Sequence, residues 1–535
     1  MKAKKFLALG CLTAGLVGTM AGCGGKIEEG GASVIQMRVY KGGYLTDWIH
    51  EVADAFMKQN PDITIDFVEE SSLVTETAQN EMSVPNKNNI DIYLTNGNHV
   101  ADLITKSKSI LKTNNETLLE PLNDVFNSKA IGYDGKEEDV TIKEKFFDGY
   151  EEAFTYNGTV TKWHGNMYAL PWADATTGLF CNKAVLDKYG LEIPLTSNEF
   201  KATVEAIATH TAQDNVFPFS WAGNNCAGYW SYLFETWFAQ YSGLKRFNNF
   251  VKCDPGDGDI EFNGYKVYED EGIYYALKAM EDILDLNYSP NGSVNKYHIE
   301  AQNEFIRGKN AFMCDGEWLF QEMSKDYYDE AKEIIMVSAP ILSVIGQEGG
   351  VTDAVLHNIV QGIDDGKTNA EIIATAGTGV TEQLIERVRD ARGIHDGIGI
   401  GHSIEVPSSS DAIDAVKLFL RYYYSNDGAR SFYNKAHGSL PIKFTREPGD
   451  EDTPFQNSVY KIINNERSQT VSVEARLNDV RTLSQMYVFN VTAWQHPQTY
   501  KSIMLNKGSI TAEKIFEDEK AYMKKSWATY MSYVF

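Results

Sequence analysis

The chain has 535 residues, with 49 Lys+Arg against 74 Asp+Glu for a formal net charge of −25, and 12% of its residues are aromatic. That length exceeds what one hydrophobic core usually serves, so more than one folded unit is expected. The acidic balance argues against a nucleic-acid partner, because such binding runs on Lys and Arg neutralising phosphates.

The first segment reads as an export address. Lys2, Lys4 and Lys5 precede an apolar stretch from Phe6 to Met20. A spanning helix needs about 20 apolar residues, so this stretch suits the core of a signal peptide instead. Met20-Ala21-Gly22-Cys23 follows and resembles the lipobox of bacterial lipoproteins. The resemblance implies loss of residues 1–22 and lipidation of Cys23. That would tether the chain to the outer face of the cytoplasmic membrane, in the Gram-positive manner, with two acyl chains each contributing about 0.8 kcal/mol per buried CH₂. Residues 23–33 form the lipidated Cys and a flexible Gly-rich leash. An extracellular setting permits disulfides among Cys181, Cys226, Cys253 and Cys314, but the spacing selects no pairing.

The body opens with an α/β pattern. Val34 to Tyr40 reads as a strand and Lys41–Tyr44 as a loop. Leu45, Trp48, Ile49, Val52 and Phe56 then recur at helical spacing, up to Asn60-Pro61. Ile63, Ile65 and Phe67 alternate as in a strand, and Ile90 to Leu94 is another short apolar run. Strand–helix–strand units build sheets that bind ligands at the carboxyl ends of their strands, which points to the loops 41–44 and 95–98. Residues 186–323 read as mainly helical. The pattern turns to alternation after Glu348, and helices are expected at 411–424 and 509–533.

Catalytic signatures are missing. There is no His-Glu-x-x-His, Cys-x-x-Cys or Gly-x-Ser-x-Gly. Gly362 to Thr368 imitates a phosphate-binding loop with one residue too few and two carboxylates in the way, so it reads as a surface turn. Gly397 to Gly401 departs from the dinucleotide pattern. The acidic turn Asp254–Asp259 lacks the glycine of a calcium loop and reads as solvated. No catalytic residue, metal or cofactor is therefore expected.

Four motifs run in order along the chain. Tyr168-Ala169-Leu170-Pro171 leads into Gly178-Leu179-Phe180-Cys181-Asn182-Lys183 and then Gly190-Leu191, Pro194, Thr196 and Glu199-Phe200. Phe305 to Met313 contains Gly308-Lys309 and ends in Gly316-Glu317-Trp318. Ala415 to Leu420 precedes Gly438-Ser439-Leu440-Pro441, and Asn506-Lys507-Gly508 opens the tail. Together they resemble the family 1 extracellular solute-binding proteins of ABC importers, the maltose- and oligosaccharide-binding group. Cys181 stands where that family usually has Tyr, and Ser197 where it has Trp. Extra segments lie near 120–165, 245–270, 346–395 and 450–490.

The resemblance implies an α/β fold of two lobes, of the periplasmic-binding-protein-like type II, with the ligand in the cleft between them. By analogy one lobe takes 34–167 plus 312–404 and the other 168–311 plus 405–535. It also implies a monomeric receptor that closes on an oligosaccharide and hands it to the permease subunits of an ABC importer.

Sugars offer apolar faces and a rim of hydroxyls, so their sites need flat aromatics beside hydrogen-bonding groups. The candidates are Trp172 and Asp174 after the first motif, Glu317 and Trp318 after the second, and Trp494 before the final helix. Trp221 and Trp230 flank a polar turn, and Tyr44, Asn96 and Asn98 lie on strand-end loops. The alternatives are a receptor for a peptide or polyamine, and a surface enzyme acting on polysaccharide.

Overall fold

The structure is a computed structural model, and it describes residues 33–70, 75–158, 160–398, 401–450, 453–471 and 503–532. The expected signal, Cys23 and Trp494 lie outside the described residues.

The opening pattern folds as its periodicity dictates. β1 (Ser33–Tyr40) buries Ile35, Met37 and Val39 at every second position, and pairs in parallel with β2 (Ile63–Glu70) and β3 (Ile92–Leu94). Between β1 and β2, the helix Asp47–Gln59 buries Trp48, Ile49, Val52, Ala53 and Phe56 on one face. Each such large apolar side chain removed from water contributes about 1.5–3 kcal/mol. β12 (Ser403–Glu405) and β6 (Ala169–Pro171) complete a five-stranded sheet in the order β2-β1-β3-β12-β6.

A second sheet runs β13-β11-β7-β9-β8, comprising β13 (Gln469–Val471), β11 (Ile394–Gly397), β7 (Thr176–Cys181), β9 (Asn310–Gly316) and β8 (Phe217–Phe219). β10 (Ile335–Val337) also pairs with β7. A small hairpin of β4 (Lys129–Ile131) and β5 (Glu137–Thr141) lies apart from both. The two main sheets carry separate hydrophobic cores, giving two lobes. The chain passes from the first to the second at 172–175, returns at 398–402, and crosses once more after Phe444. At the first crossing Ala175 is held at φ +51, a conformation that costs a non-glycine residue free energy.

The lobe boundaries differ from those implied by analogy. Residues 312–397 do not return to the first lobe, because β9 and β11 are both antiparallel partners of β7 in the second sheet. Residues 405–444 belong to the first lobe, because the helices Ile413–Tyr423 and Asn426–Ala436 pack on the helix Asp47–Gln59 and bury Phe419, Tyr423 and Phe432 with it. The final helix, Ala512–Met531, does lie in the second lobe, on the helix Glu271–Ile283.

The expected alternation after Glu348 is also replaced. Three helices stand there, Asp353–Asp364, Asn369–Thr375 and Glu382–Gly393. Thr352, Thr368 and Thr381 cap them by accepting backbone N–H groups three residues on. Such a cap is worth about 1 kcal/mol. Cys181, Cys226, Cys253 and Cys314 are all buried free thiols.

Candidate functional site

A cleft of about 270 Å³ opens where the two lobes face each other. From the first lobe it is lined by Tyr40, Gly43, Tyr44 and Asn96, and from the second by Tyr229, Trp318 and Glu322. Ile398, Gly401 and His402 of the returning crossing complete it.

Local sequence explains each wall. Tyr40 is the last residue of β1, and Gly42 at φ +50 and Leu45 at φ +58 turn the chain sharply to present Tyr44. Asn96 sits on the loop after β3. That loop is fastened by His99, whose backbone N–H and ring both meet the Glu405 carboxylate at 2.7 Å. Trp318 starts the helix that follows β9, and Glu322 lies one turn further on, so the two side chains share a face. Gly316 has no side chain for a reason: a Cβ there would sit 2.3 Å from the Trp318 ring, which lies across it. Gly43 is similarly constrained, since its Cβ would come 2.9 Å from that of Trp318 in the other lobe. Tyr229 meets Trp318 edge to face at 6.3 Å.

The structure therefore brings Tyr44, Asn96 and Trp318 to the cleft, and places the other described candidates behind it. Trp172 is buried, stacked on Trp48 at 5.8 Å and set edge-on to His402 at 4.8 Å and Tyr44 at 5.8 Å. Its indole N–H donates to the Thr95 carbonyl at 2.6 Å, and its backbone N–H to that of His402 at 2.9 Å. It thus supports two walls of the cleft without forming one. Asp174 is fully buried and accepts from the hydroxyls of Tyr150 and Thr176. Glu317 is equally buried, accepting from Tyr44 Oη at 2.8 Å and from Ser439 N–H and Oγ at 3.0 and 2.8 Å. Because Asp174 N–H also donates to the Ser439 carbonyl, these acids knit the crossing strands together. Trp221 and Trp230 line a separate water-sized cavity with Cys226 and Met313. Asn98 turns its Oδ1 to the Val100 N–H.

Five cleft residues escaped sequence reasoning although signals for most existed. Tyr40 stands at a strand's carboxyl end. Glu322 follows Trp318 by four, the spacing of one helix face. Tyr229 precedes Trp230, and the helix start turns one ring outward and the other inward. Ile398 and His402 belong to the glycine-flanked stretch that fails as a dinucleotide motif and serves instead as a crossing.

The electrostatics are one-sided. Burial pushes the carboxyls of Asp315 and Glu317 up to about 8, and raises Asp174 and Glu322 as well. The nearby Glu322 charge adds to the rise at Asp315, and Asp174 does the same for Glu317. Burial drives the His402 imidazole down to about 4, so it faces the cleft neutral. Among the described residues no group of His, Cys, Asp and Glu is arranged to hold a metal ion, and no helix is long and apolar enough to cross a membrane.

Solved structures share this architecture. RafE of Streptococcus pneumoniae in its apo form superposes with a TM-score of 0.57 at 14% identity, covering 94% of this chain and all of RafE. A chitin oligosaccharide binding protein gives 0.54 at 17% identity, over 93% of this chain and 100% of that one. The bacterial solute receptor AcbH, with an exclusive preference for β-D-galactopyranose, gives 0.52 at 14% identity, over 92% and 100%. At such identities the likeness establishes the fold. No curated protein sequence matches significantly. The model of the bacterial extracellular solute-binding proteins, however, matches residues 42–430, most of the chain. With two lobes, a cleft between them and that match, the chain belongs to the bacterial extracellular solute-binding protein family, whose members are receptors and not enzymes.

Proposed function

We propose that this protein is a lipid-anchored receptor that binds a short oligosaccharide between its lobes, closes on it and delivers it to an ABC importer. The observation that carries the reading is the composition of the cleft. Trp318, Tyr40 and Tyr229 offer ring surface, while Asn96, Glu322 and His402 offer hydrogen-bonding groups. That combination suits the apolar faces and hydroxyl rims of sugar rings. Its volume lies near the small end of the roughly 300–1,000 Å³ typical of ligand pockets, which favours one or two rings over a long chain. The solved relatives named for chitin oligosaccharide and galactopyranose support the same class. A monomer anchored through Cys23 accords with the lipobox-like Met20–Cys23, and hinge closure is an established mode of two-lobed binding proteins.

Isothermal titration of the purified protein with a panel of mono- and oligosaccharides, peptides and polyamines tests this. Saturable binding of a glycan, weakened by Trp318→Ala, is the expected result. Tight binding of a peptide with silence from every glycan would overturn it.

A further inference from the structure

The cleft holds a carboxyl group that no Lys or Arg partners among the described residues. Glu322 projects from the helix Trp318–Ala331 onto the cleft wall. Its Oε2 accepts from Gln302 Nε2 at 2.7 Å. The same nitrogen donates to Asp315 Oδ2 at 3.0 Å, so one amide is shared between two carboxyl groups. Gln302 and Asp315 are both fully buried. Oε1 of Glu322 faces the other lobe, 3.3 Å from where a Cβ of Gly43 would stand. Among the described residues neither Glu322 nor Asp315 forms an ion pair, and no Lys or Arg lines the cleft. The group of opposite charge felt at Glu322 is His298, whose ring is held by Asn225.

Sugar hydroxyls need acceptors, and Glu322 can serve as one, but a carboxylate on the cleft wall with no Lys or Arg beside it is also suited to a cationic group of the ligand. Uncompensated buried charge is costly. Tyr40, Tyr229 and Trp318 line the cleft together with Glu322, and Tyr229 and Trp318 meet edge to face. Aromatic faces around a carboxylate are the setting in which an ammonium group binds best, through ion pairing and attraction to the ring faces together.

We infer that the ligand carries a protonated amine, seated on Glu322 and enclosed by Tyr40, Tyr229 and Trp318. The inference deepens the carbohydrate reading and rests on it for the scaffold, which would be an amino sugar with a free amine. Gln302 is then a positioning residue that fixes the Glu322 carboxylate while its amide is also held by Asp315.

The test compares chitobiose with its fully de-N-acetylated form by isothermal titration, below the amine pKa, with spermidine as a third probe. The wild-type comparison needs no variant. The free amine is expected to bind at least tenfold more tightly than the acetylated form, with Glu322→Gln removing most of that ratio and added salt weakening only the amine. Equal or tighter binding of the acetylated form would overturn the inference and leave the carbohydrate reading standing. Binding of spermidine alone, lost in Glu322→Gln, would support the amine site while overturning the sugar scaffold. Silence from all three probes would overturn the amine site.

Discussion

Replacing Trp172 separates support from contact. The side chain is buried in the first lobe's core, stacked on Trp48 and wedged against Tyr44, His402 and Phe432. Truncating a buried Trp to Ala costs about 3–5 kcal/mol through lost burial and the cavity left behind. For a lobe of this size that lowers the melting temperature by roughly 10 °C. Trp172→Phe keeps most of the ring packing but withdraws the donor from the Thr95 carbonyl, which is worth about 1–3 kcal/mol when the acceptor stays buried. The two variants should therefore melt in the order native, Phe, Ala. Far-UV circular dichroism during thermal or urea unfolding measures this without depending on the fluorophore being removed. Affinity should fall in both variants because the loop bearing Asn96 loses the indole donor at Thr95, and further in the Ala variant because His402 also loses the ring packed against it. If Trp172→Ala melts within about 2 °C of the native protein, below the shift expected from even one kcal/mol, and yet binds nothing, the ring is a contact and the packing argument is wrong.

Trp318→Ala should lose at least tenfold in affinity while costing less stability than Trp172→Ala, since part of the ring faces the cleft; a larger loss of stability than Trp172→Ala with intact binding would contradict this. Gly43→Ala places a methyl against Trp318 and should hold the lobes apart, at a cost of about 1–3 kcal/mol to the closed state; an unchanged affinity and an unchanged radius of gyration on ligand addition would refute it. Stability should also depend on pH in an unusual sense. Asp315 and Glu317 bind their protons up to about pH 8 when folded, whereas free carboxyls release them near pH 4. Their contribution is complete below the unfolded value and is lost as pH rises through about 8, so stability falls across that window. The melting temperature should be higher near ~pH 5.5 than near ~pH 8. Glu317→Gln, which can still serve Tyr44 and Ser439, should reduce the difference. Parallel profiles for native and variant protein would count against this assignment.

The opening strands and helix were legible because their periodicity and burial agree: Ile35, Met37 and Val39 face one way and Trp48, Val52 and Phe56 the other. Two lobes followed from the family motifs, but the wiring did not. The Phe305–Trp318 motif is a strand in both readings, and nothing in its residues says which sheet it joins, because pairing is decided by a partner more than a hundred residues away. The three helices at 353–393 carried their signal in Thr352, Thr368 and Thr381, which a search for alternation passes over. At the cleft, tryptophan count was a poor guide. Trp172, Trp221 and Trp230 fill cores, as large apolar rings usually do, while Tyr40, Tyr229 and Glu322 do the facing.

The position of β12 between β3 and β6 governs when the molecule can come into being. β6 is synthesised as residues 169–171, but its neighbour in the first sheet, among the described residues, is Ser403–Glu405. Through roughly 230 intervening residues that strand has an unfilled edge, and long-range closures of this kind fold slowly. Its exposed edge invites pairing with other chains during the wait. The first lobe's sheet therefore cannot close until residues 403–405 have been made, whereas most strands of the second sheet are already in the chain by then.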